Sequence, residues 1–286
     1  DLPVPVLMGG TIDRADIQRF DFRTKFSGAA FIQDMRLPGQ LYGRVLRPAH
    51  PQQELISIDR DKIMGLEGVI AVVHDGSFAG LVAITDDIAQ AGLALMQKSA
   101  VWSKPSPLPF DDKQNGWMDQ ASPVSTTFLQ EDFLSGPKLM SYQARYSRPY
   151  LVHASIGPSC AVAQWQNGRL IVHSHSQGIY PLQRQLARVF ALNPDQVEVR
   201  HVHGSGCYGH NGADDVALDA ALLARAVSVP VMVLWSRADE LSWSPFGAAM
   251  RVDMWAELDE NGKIINWSHD VYSPCLLYTS DAADDT

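Results

Sequence analysis

The chain has 286 residues, 46% of them hydrophobic and 19% charged, with 21 glycines and 17 prolines. This is the composition of a folded globular protein, long enough for about two domains and a sizeable core, and it excludes collagenous, coiled-coil and disordered chains. Against 32 acidic residues stand 23 Lys and Arg, a formal charge of −9 with no basic stripe, which argues against a nucleic-acid surface.

In chain order, Asp1 reads as an internal start, with no initiator Met and no signal segment before the first turn signals. Strands are predicted at Leu41 to Leu46, Val69 to Val73 and Gly80 to Ile84, separated by turn residues at Arg47 to Pro51 and at Asp75-Gly76. Thr85 then caps a predicted helix, DDIAQAGLALMQKS, whose acids at the start and Lys98 near the end suit the helix dipole. Pro105, Pro107 and Pro109, followed by DDKQNG, block both helix and ladder hydrogen bonds and read as a linker. A boundary is therefore expected between about residues 103 and 135.

Beyond it, strands are predicted at Arg169 to His173 and Val197 to Val202, around a helical stretch from Pro181 to Leu192. A glycine-rich loop, Gly204 to Gly212, precedes a helix from Asp214 to Val227 and a strand from Val231 to Trp235. Asp219, Arg225 and Pro230 interrupt this apolar stretch, so it does not read as a membrane span. A hairpin of Met250 to Leu258 and Lys263 to Asp270 is predicted around Asn261-Gly262, a pair that favours positive φ.

The loop HGSGCYGHNG places Gly204, Gly206 and Gly209 in G-x-G-x-x-G spacing, a dinucleotide fingerprint if read literally. Three features weaken that Rossmann reading. His210, Asn211 and Gly212 intervene before the helix, Asp214 and Asp215 would repel a phosphate there, and the motif lies deep in the chain. What survives is a loop that lets the backbone approach a ligand closely. His173, His175, His201 and His203 form two H-x-H pairs that, with His210 and Cys207, admit a metal-hydrolase reading. No acid stands at a familiar ligand spacing beside them, and strand histidines are more often plain hydrogen-bonding residues. Ser205 is not in nucleophile-elbow spacing. The three cysteines, Cys160, Cys207 and Cys275, show no CxxC spacing and so no cluster or zinc cage. An inert fragment that only packs against partner domains is the non-enzymatic alternative.

Segments spread over residues 13 to 273 resemble the molybdopterin-binding large subunit of the molybdenum hydroxylases, the xanthine dehydrogenase and aldehyde oxidase family. Within it they are most similar to bacterial subunits of the nicotinate dehydrogenase and isoquinoline 1-oxidoreductase type. KFSGAAFIQDMRLPGQLYGRVLRP and GLEGVIAVVHDGSFAGLVA resemble the family's a/b hammerhead domain. RYSRPYLVHASIGPSCAVAQW, HSHSQG, GSGCYGHNGADDVALDAALLARA and PVMVLWSRADE resemble the opening of its molybdenum-cofactor domain. The resemblance implies an α+β fold, with a hammerhead-like domain at 1–105, a linker at 106–135 and the first part of the molybdopterin-binding domain at 136–274. The acidic tail at 275–286 has no apolar period and resembles a translated adapter sequence. Without its Asp281, Asp284 and Asp285 the formal charge moves from −9 to −6.

Carried over by position, the resemblance implies that Gln177 hydrogen-bonds an oxo ligand of the molybdenum. It also implies that Gly204, Gly206, Cys207, Tyr208 and Gly209 offer the loop backbone to the cofactor, most simply in its cytosine dinucleotide form. His210 and Asn211 are candidates for the substrate channel. Many family members carry Phe-Gly at Cys207-Tyr208, and a basic residue then Glu at His210-Asn211. The missing acid, and Gly247 near the place of a substrate arginine, put purine specificity in doubt. The implied reaction is hydroxylation of an N-heteroaromatic carbon or an aldehyde with water as oxygen source. The family's general-base glutamate falls downstream, so no catalytic residue is assigned here and the chain alone is expected to be inactive. Iron–sulfur clusters are expected on a separate small subunit, with a cytochrome c as a further acceptor in some members. The compartment, bacterial cytoplasm or periplasm, is left open.

Overall fold

The computed structural model describes residues 21–106, 118, 140–209 and 215–274. In chain order these form α1 (Phe22–Phe26), β1 (Leu41–Leu46), β2 (Leu55–Ser57), α2 (Arg60–Met64), β3 (Val69–Asp75), β4 (Phe78–Ala83), α3 (Asp86–Ser99) and β5 (Val101–Trp102). There follow β6 (Met140–Arg148), β7 (Leu151–Val152), β8 (Cys160–Gln166), β9 (Arg169–Ser174), α4 (Ile179–Val189), β10 (Val197–His201) and α5 (Val216–Val227). The last elements are β11 (Val231–Leu234), α6 (Arg237–Trp243), β12 (Phe246–Gly247), β13 (Met250–Leu258) and β14 (Ile264–Tyr272). The mixed α+β class that the resemblance implies is the class observed.

Local rules account for the helices. The Thr85 hydroxyl accepts the Ile88 amide at 3.3 Å and starts α3, which buries Ala89, Gly92 and Met96 along one stripe. Helix α4 buries Leu182, Leu186 and Ala187 in the same manner. Helix α5 is different, being small and apolar on nearly every side, and it is the centre of the larger core with Val172, Leu186 and Val231. It ends at Ser228, whose φ of 56° carries the chain into the left-handed region.

The principal sheet has seven strands in the order β10-β9-β8-β11-β1-β4-β3. Strands from both sides of the expected linker therefore lie in one sheet. They join where β1 runs parallel to β11, with Leu41 opposite Val231 and Gly43 opposite Val233. Gly43 is needed at that seam, because a Cβ there would lie 2.5 Å from Cδ1 of Leu223 on α5. A smaller core under α3 holds Leu46, Ile63, Leu81 and Met96.

The topology corrects the Rossmann alternative. β10, which leads into the glycine loop, is an edge strand parallel only to β9, and β9 is antiparallel to β8. A dinucleotide fingerprint needs its loop among parallel strands at a switch point, and this mixed sheet offers none there. At the hairpin the turn also differs from its expected origin. Gly262 has φ +78° but Asn261 is not left-handed; instead the Asp259 carboxylate accepts the Asn261 and Lys263 amides, both at 2.9 Å.

A separate three-stranded sheet, β14-β13-β6, has one apolar face. Register places Tyr142 beside Ala256 and Trp267, and Tyr146 beside Val252 and Val271. Tyr142, Tyr146 and Trp267 on this face are all exposed.

Candidate functional site

Because β9 and β10 are parallel and in register, with His201 opposite Ser174, their carboxyl ends deliver two loops side by side. The first runs from His175 to Gly178. Its backbone is fixed by the Ser176 amide donating to Ser174 Oγ at 3.0 Å and the Gly178 amide to Ser176 Oγ at 3.1 Å. The buried His175 accepts the Cys160 amide at Nε2, 3.2 Å away. The second loop is Val202 to Gly209, tied to the first where the Val202 amide donates to the Ser174 carbonyl at 2.9 Å.

Of the residues proposed from sequence, Gln177, Gly204, Gly206, Cys207, Tyr208 and Gly209 lie on these two loops. Gln177 and Cys207 touch directly, with Sγ donating to Oε1 at 3.0 Å. Gly204 packs against His175, where a Cβ would come within 2.8 Å of the ring-bearing carbon. Gly206, Tyr208 and Gly209 have φ of 106°, 59° and 102°, so the backbone repeatedly enters the left-handed region, which glycine adopts without strain. His210 and Asn211 lie outside the described residues.

Several supports escaped the sequence reading. Ile32, fully buried, donates its amide to the His203 carbonyl at 2.8 Å, and Gln33 Nε2 donates to the Pro158 carbonyl at 3.0 Å. Arg237 donates to the carbonyls of Ser155 and Ile156, both at 2.6 Å, while the buried Glu240 carboxylate accepts the Ser159 amide at 2.8 Å. The segment so held carries Ser155, which donates to the Cys207 carbonyl at 3.4 Å, and Gly157, which donates to the Ser205 carbonyl at 3.1 Å. The only sequence hint was the S-R-A-D-E run. There Ser236 caps α6, its hydroxyl accepting the Asp239 amide at 3.0 Å, which places Arg237 and Glu240 in the first turn.

The described histidines do not gather into a metal site. Among the described residues no group of three or more His, Cys, Asp or Glu is arranged to hold a metal, which corrects the hydrolase alternative. His201 and His203 pack edge to face at 5.4 Å, and burial together with nearby Arg200 holds His173 below the usual histidine range. Burial likewise pushes the Cys160 thiol up to about 12, so it is inert. Cys160 and Cys207 are both free thiols. No helix among the described residues is long and apolar enough to cross a membrane.

The donor set suits a group that accepts hydrogen bonds. Residues 203–209 contain no carboxylate, and the exposed Gln177 side chain has its oxygen engaged by Cys207. Among the described residues no protein acceptor faces its amide nitrogen, which leaves that donor free for a ligand.

This arrangement of mixed sheet, helices and paired loops is the fold of molybdenum hydroxylase large subunits. It superposes on quinoline 2-oxidoreductase from Pseudomonas putida 86 with a TM-score of 0.69, covering 89% of this chain and 38% of that one at 17% identity. On the aldehyde oxidoreductase of Desulfovibrio gigas the TM-score is 0.72, over 89% and 34% of the two chains at 16% identity. Residues 133–285, just over half of the chain, match the molybdopterin cofactor-binding domain, and the chain belongs to that family. It is 33% identical to one of the subunits of nicotinate dehydrogenase from Pseudomonas putida, over 92% of this chain and 23% of the relative. It is 24% identical to the beta subunit of isoquinoline 1-oxidoreductase from Brevundimonas diminuta, over 92% of this chain and 36% of the relative. The chain thus spans well under half the length of these relatives.

Proposed function

We propose that the chain supplies part of the cradle for a molybdopterin-type molybdenum cofactor, in its cytosine dinucleotide form, within an oxidoreductase. The reading assigns hydroxylation of an N-heteroaromatic carbon or an aldehyde, with water as the oxygen source. One observation carries it. Gln177 and the Gly204–Gly209 loop, about thirty residues apart, meet at the carboxyl ends of two adjacent parallel strands, with the Gln177 oxygen turned to Cys207 and no carboxylate on either segment.

When bound, the cofactor supplies the oxygen-transfer and electron-accepting chemistry. Gln177 Nε2 donates a hydrogen bond toward it, and the glycines at 206 and 209 let the backbone come close without a Cβ in the way. Gly204 keeps the loop seated on His175. His210 and Asn211, the next residues in the sequence, are the candidates for handling substrate. No residue of the chain is given a proton-transfer role. The N-heteroaromatic class is supported by the names of relatives that act on nicotinate and isoquinoline. Electrons would leave through a small iron–sulfur subunit and, beyond it, a cytochrome c. The hammerhead-like unit at 1–105, the linker at 106–135 and the cofactor unit at 136–274 form the corresponding domain reading.

Metal content of the full-length protein tests this. Molybdenum is expected at near one equivalent, and Gly206→Val is expected to lower it several-fold with the far-ultraviolet circular dichroism unchanged. Zinc in place of molybdenum, or full molybdenum in Gly206→Val, overturns the reading.

A further inference from the structure

We propose that Cys207 is a positioning residue whose thiol sets the orientation of the Gln177 carboxamide toward the cofactor. The proposal rests on the cofactor reading above and goes beyond it, because it assigns the Cys207 side chain a task distinct from that of the loop backbone.

Cys207 Sγ accepts the Gly209 amide at 3.4 Å and lies 3.0 Å from Gln177 Oε1. A thiol has one proton to give and accepts only weakly. With the Gly209 amide donating to the sulfur, the thiol gives its own proton to the Gln177 oxygen. The carboxamide therefore sits with Oε1 toward sulfur. The flipped amide would aim Nε2 at the same sulfur as a second donor beside the Gly209 amide. Fixing the oxygen inward leaves the nitrogen outward, so Gln177 meets an incoming group as a donor and not as an acceptor.

Both ends of the contact are anchored. Tyr208 and Gly209, at φ 59° and 102°, fold the chain back so that the Gly209 amide reaches the sulfur two residues behind it. Ser155 Oγ holds the Cys207 carbonyl and Gly157 holds the Ser205 carbonyl. On the other side, the Ser174 and Ser176 hydroxyls fix the backbone around Gln177. An exposed glutamine otherwise spreads over many rotamers, and one directed contact removes much of that freedom.

Two readouts in the full-length protein test the proposal, with labelling read at the Cys207 peptide by mass spectrometry; Cys160 is buried. The first uses iodoacetamide on cofactor-free protein. Gln177→Leu is expected to raise the labelling rate of Cys207 about three-fold, the effect of releasing one weak hydrogen bond. The second is the electron paramagnetic resonance signal of the reduced molybdenum centre. Cys207→Ala is expected to shift it, while Cys207→Ser, which keeps an O–H donor, restores the wild-type signal. Circular dichroism is expected to stay constant across the variants, and molybdenum content across the two Cys207 variants. Unchanged labelling and an unshifted signal in a fully loaded centre overturn the thiol's role alone. A purified protein that binds no molybdenum overturns the cofactor reading and the role toward it together, while a faster label in Gln177→Leu still establishes the thiol–amide contact.

Discussion

The Arg47 guanidinium at the end of β1 pairs with the buried Asp219 carboxylate in α5, although 172 positions separate them. Asp219 also accepts from Trp235 Nε1 at 3.0 Å, and Arg47 lies over the Trp235 and Trp243 rings at 5.1 and 5.7 Å. One ion pair thus ties the first strand of the sheet to the helix, strand and loop that carry the second half of the core.

Burial pushes the Asp219 carboxyl up to about 6, against the opposing pull of Arg47 and the Trp235 hydrogen bond. A carboxyl whose folded pKa is raised favours its protonated form in the native state. Its stabilising contribution is full below pH ~4, the unfolded value, and is lost as pH rises through about 6. The difference is on the order of 3 kcal/mol. Thermal melts at pH 5 and pH 7 are expected to show a larger gain on acidification for wild type than for Asp219→Asn; parallel profiles contradict the assignment.

Removing the cation alone should also be costly. Arg47→Met leaves a buried carboxylate unpaired at pH 7, an expected loss of about 3 kcal/mol, shrinking toward pH 5 as Asp219 takes up its proton. Urea titrations at the two pH values measure both quantities.

At the seam of the sheet, Gly43→Ala forces a methyl against Leu223 and is expected to cost about 2 kcal/mol. Leu223→Ala is expected to cost a similar amount alone, through the cavity it leaves. Because the two side chains compete for one space, the double variant should be more stable than the sum of the single losses predicts. Additive losses in a double-mutant cycle would mean that the contact does not limit packing there.

The sheet face bearing Tyr142, Tyr146, Trp267 and Val271 is an exposed apolar patch on the 286-residue chain, and such patches associate in water. Light scattering of this chain alone is expected to show self-association that rises with concentration. Tyr146→Lys with Trp267→Lys should suppress it while leaving circular dichroism unchanged. Association that persists in the double variant points to another surface.

Strands with one wet face and capped helices could be read from local pattern. β1, the first five residues of β3, α3 with its Thr85 cap, and β13 occupy the expected residues. Strand β8 could not, because Cys160 to Ala163 is buried on both faces and gives no alternation of apolar and polar residues. Pairings distant in sequence were equally hidden, since no local spacing tells Leu41 to lie beside Val231. The same limit applies to the candidate site. Gln177 and the glycine loop were visible in the sequence through a family motif, but Ile32, Arg237 and Glu240 act on the backbone of residues far along the chain and leave no pattern of their own.

The parallel seam between β1 and β11 bears on how this polypeptide could be divided. A cut in the proline-rich stretch after Lys104 would leave one open strand edge on each piece, and each edge is the template of the other. Two separately produced pieces, one ending near residue 106 and the other beginning near 140, should therefore recover the seven-stranded sheet by complementation, as a split protein does. Each piece kept without the other should be aggregation-prone.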